Sequence, residues 1–146
     1  MKKHSFSLKC RDFTLVEIMI VVTVIMILVF AFVPSMLRAR VTSNEATAVA
    51  NVRALYTSLQ MYYTDNNKRY PTELSQLVGY TTSQLASGSK SGYLFNYIYD
   101  GPDSFHINVN PRTPGKTGTR YFYLDETNVL RVNSEGEATD NDPPAE

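Results

Sequence analysis

The chain has 146 residues, which allows one folded domain of about 100 residues or slightly more beyond an apolar N-terminal run. Its formal charge is zero, but without residues 1–12 it carries 10 Lys and Arg against 13 Asp and Glu; this negative balance disfavours nucleic-acid binding, which depends on cations at phosphates. The single cysteine, Cys10, lies within residues 1–12, so the remaining sequence has no disulfide, cysteine metal site or cysteine nucleophile.

The first 12 residues are basic and read MKKHSFSLKCRD. They are similar to the charged start of a secretory signal, but the apolar run after them exceeds a signal core of about 7–15 residues, and no A-x-A-like cleavage site follows. Four Lys and Arg precede the apolar run, while Arg38 and Arg40 follow it. This asymmetry predicts a single-pass protein with a cytoplasmic N-terminus and an exported C-terminal part.

Residues 13–33 form the apolar run, whose polar members are two threonines and Glu17. As a helix rising about 1.5 Å per residue, the run spans about 30 Å, the thickness of a bilayer core. Val, Ile and Phe are poor helix formers in water, but in lipid the backbone must satisfy its own hydrogen bonds, which requires a helix. The Glu17 carboxylate costs about 2.5–3.5 kcal/mol at a bilayer centre and less near the edge, so we expect it to have a partner.

The junction between the two segments carries a specific motif, RDFTLVE at residues 11–17. It resembles the class III leader of type IV pilins and type II secretion pseudopilins, in which a short basic leader precedes Phe-Thr-Leu-x-Glu at the start of a membrane helix. Pro34 also stands where many of these proteins have a proline, 21 residues after Phe13. The resemblance is strong over residues 9–34 and weak over the helix beyond them. One position departs from the pattern. In this family a peptidase normally cleaves the bond between a glycine and the Phe, and here Asp12 stands in place of that glycine.

The resemblance implies a defined role for three residues. A prepilin peptidase, which is also the N-methyltransferase, would cut between Asp12 and Phe13 and methylate the new amine of Phe13. Glu17 would pair with that amine on a neighbouring subunit when subunits leave the membrane for a filament. The pairing is physically reasonable because a carboxylate and an ammonium in a low-dielectric environment each require a partner of opposite charge. The alternative is an acid near the helix start that reaches the lipid headgroups.

Residues 34–64 are predicted to continue the helix in amphipathic form. Pro34 cannot donate to the helical ladder and is expected to kink the helix. Apolar side chains then recur at spacings of three and four, which predicts a stripe that covers a sheet, while Asn51 and Ser58 are assigned to other faces. The helix could serve filament packing or act as a simple membrane stalk, and the junction motif favours packing. The stripe consists of Val49, Val52, Leu55, Tyr56, Leu59, Tyr62 and Tyr63.

Residues 65–133 are predicted to form a globular head. A Tyr70-Pro71 pair opens a short helix, residues 83–91 are a loop, and alternating apolar residues in the last third indicate three or four antiparallel strands. The long helix is the available cover for one face of this sheet. Residues 134–146, acidic and rich in Gly and Pro, are predicted to be a disordered tail. The fold class is therefore α+β, with a long N-terminal helix packed on a small antiparallel sheet.

Candidate chemistry in the head is sparse. Asp100 and Asp103 flank a turn and could bind Ca²⁺, but their spacing is that of ordinary turn residues, which is the favoured interpretation. His106 has no ligand-type neighbour in sequence and is assigned a structural or solvent-facing role. The loop at residues 115–119 resembles a phosphate loop, but Asn110 occupies the position of its first glycine. The aromatic-rich strands are attributed mainly to core packing, with stacking on a ligand as the alternative.

The favoured function is that of a structural subunit of a type IV pilus-like filament, without enzymatic activity or cofactor. The alternatives are a type II secretion pseudopilin and an unprocessed, membrane-anchored binding domain. The expected partners are membrane lipid, the prepilin peptidase, an inner-membrane assembly platform, and copies of itself or related pilins. The expected location is the bacterial inner membrane, followed by an extracellular or periplasmic filament.

Overall fold

The computed structural model describes residues 13–145, so the basic leader and Asp12 lie outside the described residues. The chain divides into two units, Met1–Met36 and Leu37–Glu146. A single helix, α1, spans Leu15–Asp65 and contributes residues to both units.

The first unit consists, in its described part, of the start of α1. Thr14 precedes the helix, and its side-chain oxygen accepts a hydrogen bond from the Glu17 amide at 3.2 Å, as an N-cap residue does. The helix is long and apolar enough to cross a membrane. Pro34 lies inside the helix, which continues past it. Because its nitrogen cannot donate to the carbonyl of Phe30, a kink at Pro34 remains our prediction.

The second unit contains the sheet. Five strands pair antiparallel in chain order: β1 Ser89–Lys90, β2 Tyr93–Gly101, β3 Ser104–Pro111, β4 Tyr121–Asp125 and β5 Arg131–Asn133. A 3-10 helix, Leu74–Leu77, and a short helix α2, Ser83–Ala86, connect α1 to β1. The predicted α+β architecture is confirmed. The sequence pattern predicts three or four strands and a plain loop at residues 83–91, where the structure has α2 and β1.

The core lies between α1 and one face of the sheet. Along β3, buried and half-buried residues alternate because successive side chains of a strand point to opposite faces. Phe105, Ile107 and Val109 are fully buried, and Leu55 and Leu59 from α1 are buried in the same cluster. Each such side chain contributes about 1.5–3 kcal/mol by leaving water. This packing attaches α1 to the sheet.

Three polar residues of α1 are also buried, Glu45, Asn51 and Ser58, and for the last two this is contrary to the sequence assignment. Ser58 donates to the backbone oxygen of Tyr80 at 3.0 Å, and Asn51 is buried beside it. The segment at residues 79–85 covers this side of the helix, so the buried surface is wider than the apolar stripe.

The tail prediction is wrong for the described residues. Val132 donates to the oxygen of Pro143 at 3.0 Å, and Ala145 donates to that of Leu130 at 2.7 Å, so the tail runs along β5. Ala138 is only 2% exposed. The acidic, Pro-rich composition indicated disorder, but the edge of β5 offers unpaired backbone groups that this segment satisfies.

Candidate functional site

The junction motif lies at the start of α1. Phe13 is 73% exposed, and Glu17 is exposed in the first turn of the helix. There the partial positive charge of the helix N-terminus favours a carboxylate. Within residues 13–145, no cation lies within 4.0 Å of Glu17. In a single copy of the chain, the described residues thus satisfy Glu17 only through the helix end.

The apolar side chains that follow are exposed in a single copy. Leu15, Phe30 and Phe32 each have more than two thirds of their surface exposed, and the run between them is exposed as well. A surface of this size in contact with water is unfavourable, so it requires lipid or other helices. A helix of this length and composition can anchor the chain in a membrane.

A second site lies where α1 enters the head, at Glu45. This carboxylate is only 6% exposed. One oxygen accepts from the amide and the hydroxyl of Thr119, both at 2.8 Å, and the other accepts from Nε of Arg120 at 2.8 Å. One residue earlier, Asn44 donates its side-chain amide to the backbone oxygen of Thr117 at 2.9 Å. We call Asn44, Glu45, Thr117, Thr119 and Arg120 the Glu45 cluster.

The charge state of Glu45 follows from two opposing effects. Burial alone would raise the pKa of this carboxyl, but the hydrogen bonds from Thr119 and Arg120 outweigh burial and lower the pKa below its ordinary value. Glu45 is therefore ionised at neutral pH. Charge-assisted hydrogen bonds of this kind are stronger than neutral ones. The Glu45 cluster thus ties α1 to the start of β4.

The Glu45 cluster was not predicted from the sequence. Glu45 precedes the buried Ala48 by three residues and Val52 by seven, so it lies on the face of α1 that packs on the sheet. An acid on the buried face of an amphipathic helix was the available signal. The partner could not be read from the sequence, because Thr119 lies 74 residues further along the chain.

The calcium candidates are not brought together as a metal site. Asp100 contacts Nδ1 of His106 at 2.5 Å, whereas Asp103 accepts from the hydroxyl of Tyr63 at 3.1 Å. Within residues 13–145 no group of three or more His, Cys, Asp and Glu side chains could hold a metal ion. His106 is half-buried and also stacks on Tyr123, with 5.6 Å between ring centres. A structural or solvent-facing role for His106 stays a prediction, and its pairing with Asp100 was not predicted.

The glycine-containing loop is a connection between β3 and β4. It closes on itself through a bond from the Gly115 amide to the Gly118 oxygen at 2.8 Å. A Cβ atom at Gly118 would lie 2.0 Å from the hydroxyl oxygen of Tyr93, so this position requires glycine for packing. Four aromatic residues of the strands are buried in the core, Tyr93, Phe95, Phe105 and Phe122, and Tyr97 packs against them. Tyr121 and Tyr123 are half-buried and Tyr99 is exposed, so core packing accounts for only part of the aromatic set.

Comparisons with known proteins give a consistent result. The chain is 34% identical over 112 residues to the type II secretion system core protein G of Escherichia coli K12, covering 73% of this chain and 77% of that protein. It is 40% identical over 115 residues to the core protein G of Vibrio cholerae, covering 76% of each chain. It is 30% identical over 93 residues to the type IV major pilin protein PilA of Myxococcus xanthus, covering 64% of this chain but 40% of PilA.

No protein-family model and no solved structure matches the chain. The curated relatives are pilins and secretion-system core proteins by name, not enzymes. Their identity extends over most of this chain, and the described helix and sheet have the architecture that the junction motif implied. The chain therefore belongs to the type IV pilin and type II secretion pseudopilin family.

Proposed function

We propose that this chain is a structural subunit of a type IV pilus-like filament. The observation that carries the proposal is the combination of an exposed apolar helix with a folded head on one continuous α1. Such a helix can reside in lipid before assembly and pack against other copies of the helix afterwards. The subunit enters the inner membrane as a prepilin, with its N-terminus in the cytoplasm and its head exported. It acts without catalysing a reaction.

Maturation takes place between Asp12 and Phe13. The prepilin peptidase cuts this bond and methylates the amine of Phe13, which keeps its positive charge. An inner-membrane assembly platform then moves the subunit into the filament, among copies of itself or related pilins. The junction motif at residues 11–17 and the membership of the same family support this order of events.

Glu17 directs assembly in this proposal. Among residues 13–145 it has no cation partner, and an ammonium at Phe13 of the neighbouring copy would supply one in the apolar bundle. Removing one member of a buried charge pair typically costs about 3–5 kcal/mol, because the other charge remains buried and unpaired. By contrast, removing Glu17 from a simple membrane anchor should favour insertion by about 1–3 kcal/mol.

The decisive experiment replaces Glu17 by Val in the full chain. Subunits should accumulate in the membrane while sheared filaments lose them, and Glu17→Asp should be intermediate because its charge is retained at a shorter reach. Thr23→Val is the matched control, since it removes a polar group from the same helix whose hydroxyl bonds only the local Met19 oxygen. If Glu17→Val subunits enter filaments at the wild-type level, the pairing proposal fails and the headgroup role of Glu17 is preferred.

A second candidate is the pseudopilus of a type II secretion system. The observation in its favour is that relatives named type II secretion system core protein G match this chain over most of its length. Deleting the gene separates the two functions: loss of surface filaments with normal protein secretion supports a pilus, and loss of secretion without a change in surface filaments supports a pseudopilus.

A further inference from the structure

Charged side chains of the head are segregated along its length. One end contains the first residues of the second unit, Arg38 and Arg40. The Glu45 cluster joins the β3–β4 loop to α1 there, and the Arg112 amide of that loop bonds the Gly92 oxygen at 2.9 Å. Lys90 is also at this end, because it pairs with Tyr93, which pairs with Pro111. We call the cations here the basic surface: Arg38, Arg40, Lys90, Arg112, Lys116 and Arg120.

The opposite end of the head is acidic. The turn between β2 and β3 lies there, close to the end of α1: Tyr70 donates to the Pro102 oxygen at 3.0 Å, and Tyr63 donates to Asp103. Lys68 and Arg69 are the cations of this end. Asp65 is the last residue of α1, Asp125 pairs with His106 across the sheet, and the backbone oxygen of Glu126 accepts from Tyr56. The acidic surface consists of Asp65, Asp100, Asp103, Asp125 and Glu126.

Few of these charges are neutralised within the chain. In the part that the structure describes, the two ion pairs are Arg120 with Glu45 and His106 with Asp100. Arg112 and Lys116 are exposed and have no acid within 4.0 Å among these residues. The tail brings three acids towards the basic surface, Glu135, Glu137 and Asp142. Glu137 accepts from Asn110, and Asp142 accepts from Asn133, which pairs with Tyr121. The basic surface nevertheless retains an excess of cations.

We propose that the basic surface of one subunit docks on the acidic surface of a second copy of this chain. The inference rests on the proposed filament function and specifies which parts of the heads meet. Two different surfaces of one molecule that complement each other make a head-to-tail contact, and such contacts generate rings or, where the rotation does not close, open helical filaments. Electrostatic complementarity of this kind also sets the register between neighbours.

The rigidity of the basic loop supports this role. Thr113 and Thr117 bond each other across the loop, Asn44 holds Thr117, and Glu45 holds Thr119. Arg112 and Lys116 are thus presented from a backbone that is already ordered before docking. An anionic lipid surface would also attract these cations, but it gives no role to the acidic surface, and a second copy accounts for both.

The test is a charge swap in the full chain. Reversing the basic surface with Arg112→Glu and Lys116→Glu should reduce sheared filaments at least tenfold, and so should reversing the acidic surface with Asp65→Lys and Glu126→Lys. Combining all four changes in one chain should restore filaments, because the two surfaces have exchanged sign. The control reverses an exposed charge outside both surfaces with Glu73→Lys and should leave filaments unchanged.

Cysteine cross-linking provides an independent measurement. Lys116→Cys and Glu126→Cys in one chain, with Cys10→Ser, should give a ladder of disulfide-linked multimers in membranes and filaments, and either cysteine alone should give at most a dimer. The proposal is overturned if wild-type filaments form but the fourfold variant does not regain them, or if no ladder appears. Absence of wild-type filaments together with a ladder would instead overturn the filament function and retain the docking.

Discussion

The Glu45 cluster permits a prediction whose size follows from its contacts. Glu45→Ala removes four hydrogen bonds from a carboxylate that is nearly buried: three at 2.8 Å and one, from the Arg120 amide, at 3.3 Å. Hydrogen bonds to a charged group contribute about 1.5–3 kcal/mol each, and breaking a buried ion pair costs about 3–5 kcal/mol. Arg120 is 46% exposed and can be rehydrated, which reduces the loss. We therefore expect Glu45→Ala to lower the free energy of unfolding of the head by about 2–4 kcal/mol.

The assay is denaturant unfolding of residues 38–146, followed by circular dichroism. Glu45→Gln keeps an acceptor without the charge and should lower the free energy of unfolding by about half as much as Glu45→Ala. In a double-mutant cycle, the effects of Arg120→Ala and Glu45→Ala should not be additive, because the two side chains contact each other. Glu73→Ala, at an exposed acid, is the control. A loss below about 0.5 kcal/mol for Glu45→Ala would refute the reasoning, because surface substitutions already fall within that range.

The pH dependence of the stability of the same variants tests the direction of the Glu45 pKa shift. The folded pKa of Glu45 is lowered, so its contribution is present above the unfolded pKa and is lost as pH falls through the folded pKa. The stability of the head should therefore decrease on acidification below about pH 4.5, and the stability of the Glu45→Gln variant should decrease less over the same pH range. An equal slope for both proteins would assign the acid sensitivity to other carboxyls, such as Asp142, whose pKa is also lowered by hydrogen bonds from Thr139.

Three further outcomes are expected. Residues 38–146, made without the apolar run, should form a soluble folded domain, and an unfolded circular dichroism spectrum with unprotected amides would contradict the described core. Asp12→Gly should raise the ratio of processed to full-length protein on co-expression with a prepilin peptidase, because it restores a small residue at the cut; an unchanged ratio with an unprocessed wild type would mean that the chain is no substrate. Gly118→Ala should destabilise the head by about 1–3 kcal/mol because its Cβ would overlap Tyr93, whereas Gly136→Ala, where a Cβ meets nothing within 4 Å, should change stability little.

The sequence by itself determined the features that depend on neighbouring residues. The apolar run, the Phe13–Glu17 motif, the helical stripe and the alternation of β3 are all patterns with a period of two or about 3.6 residues, or with fixed short spacing. Each of these patterns reflects the surroundings of its own segment, which are lipid, the sheet or the core. The helix, the sheet and the family could therefore be predicted from the order of the amino acids alone.

Only the tertiary structure decided which distant residues meet. Glu45 and Thr119 are 74 positions apart, and no local pattern pairs an acid on a helix with one particular amide on a loop. The tail was likewise mispredicted. Its composition shows only how much apolar surface the segment can bury by itself, whereas backbone groups at the edge of β5 provide hydrogen-bond partners from elsewhere in the chain. The segregation of charge has the same origin: cations scattered between residues 38 and 120 become one surface because α1 and the antiparallel strands return them to the same end of the head.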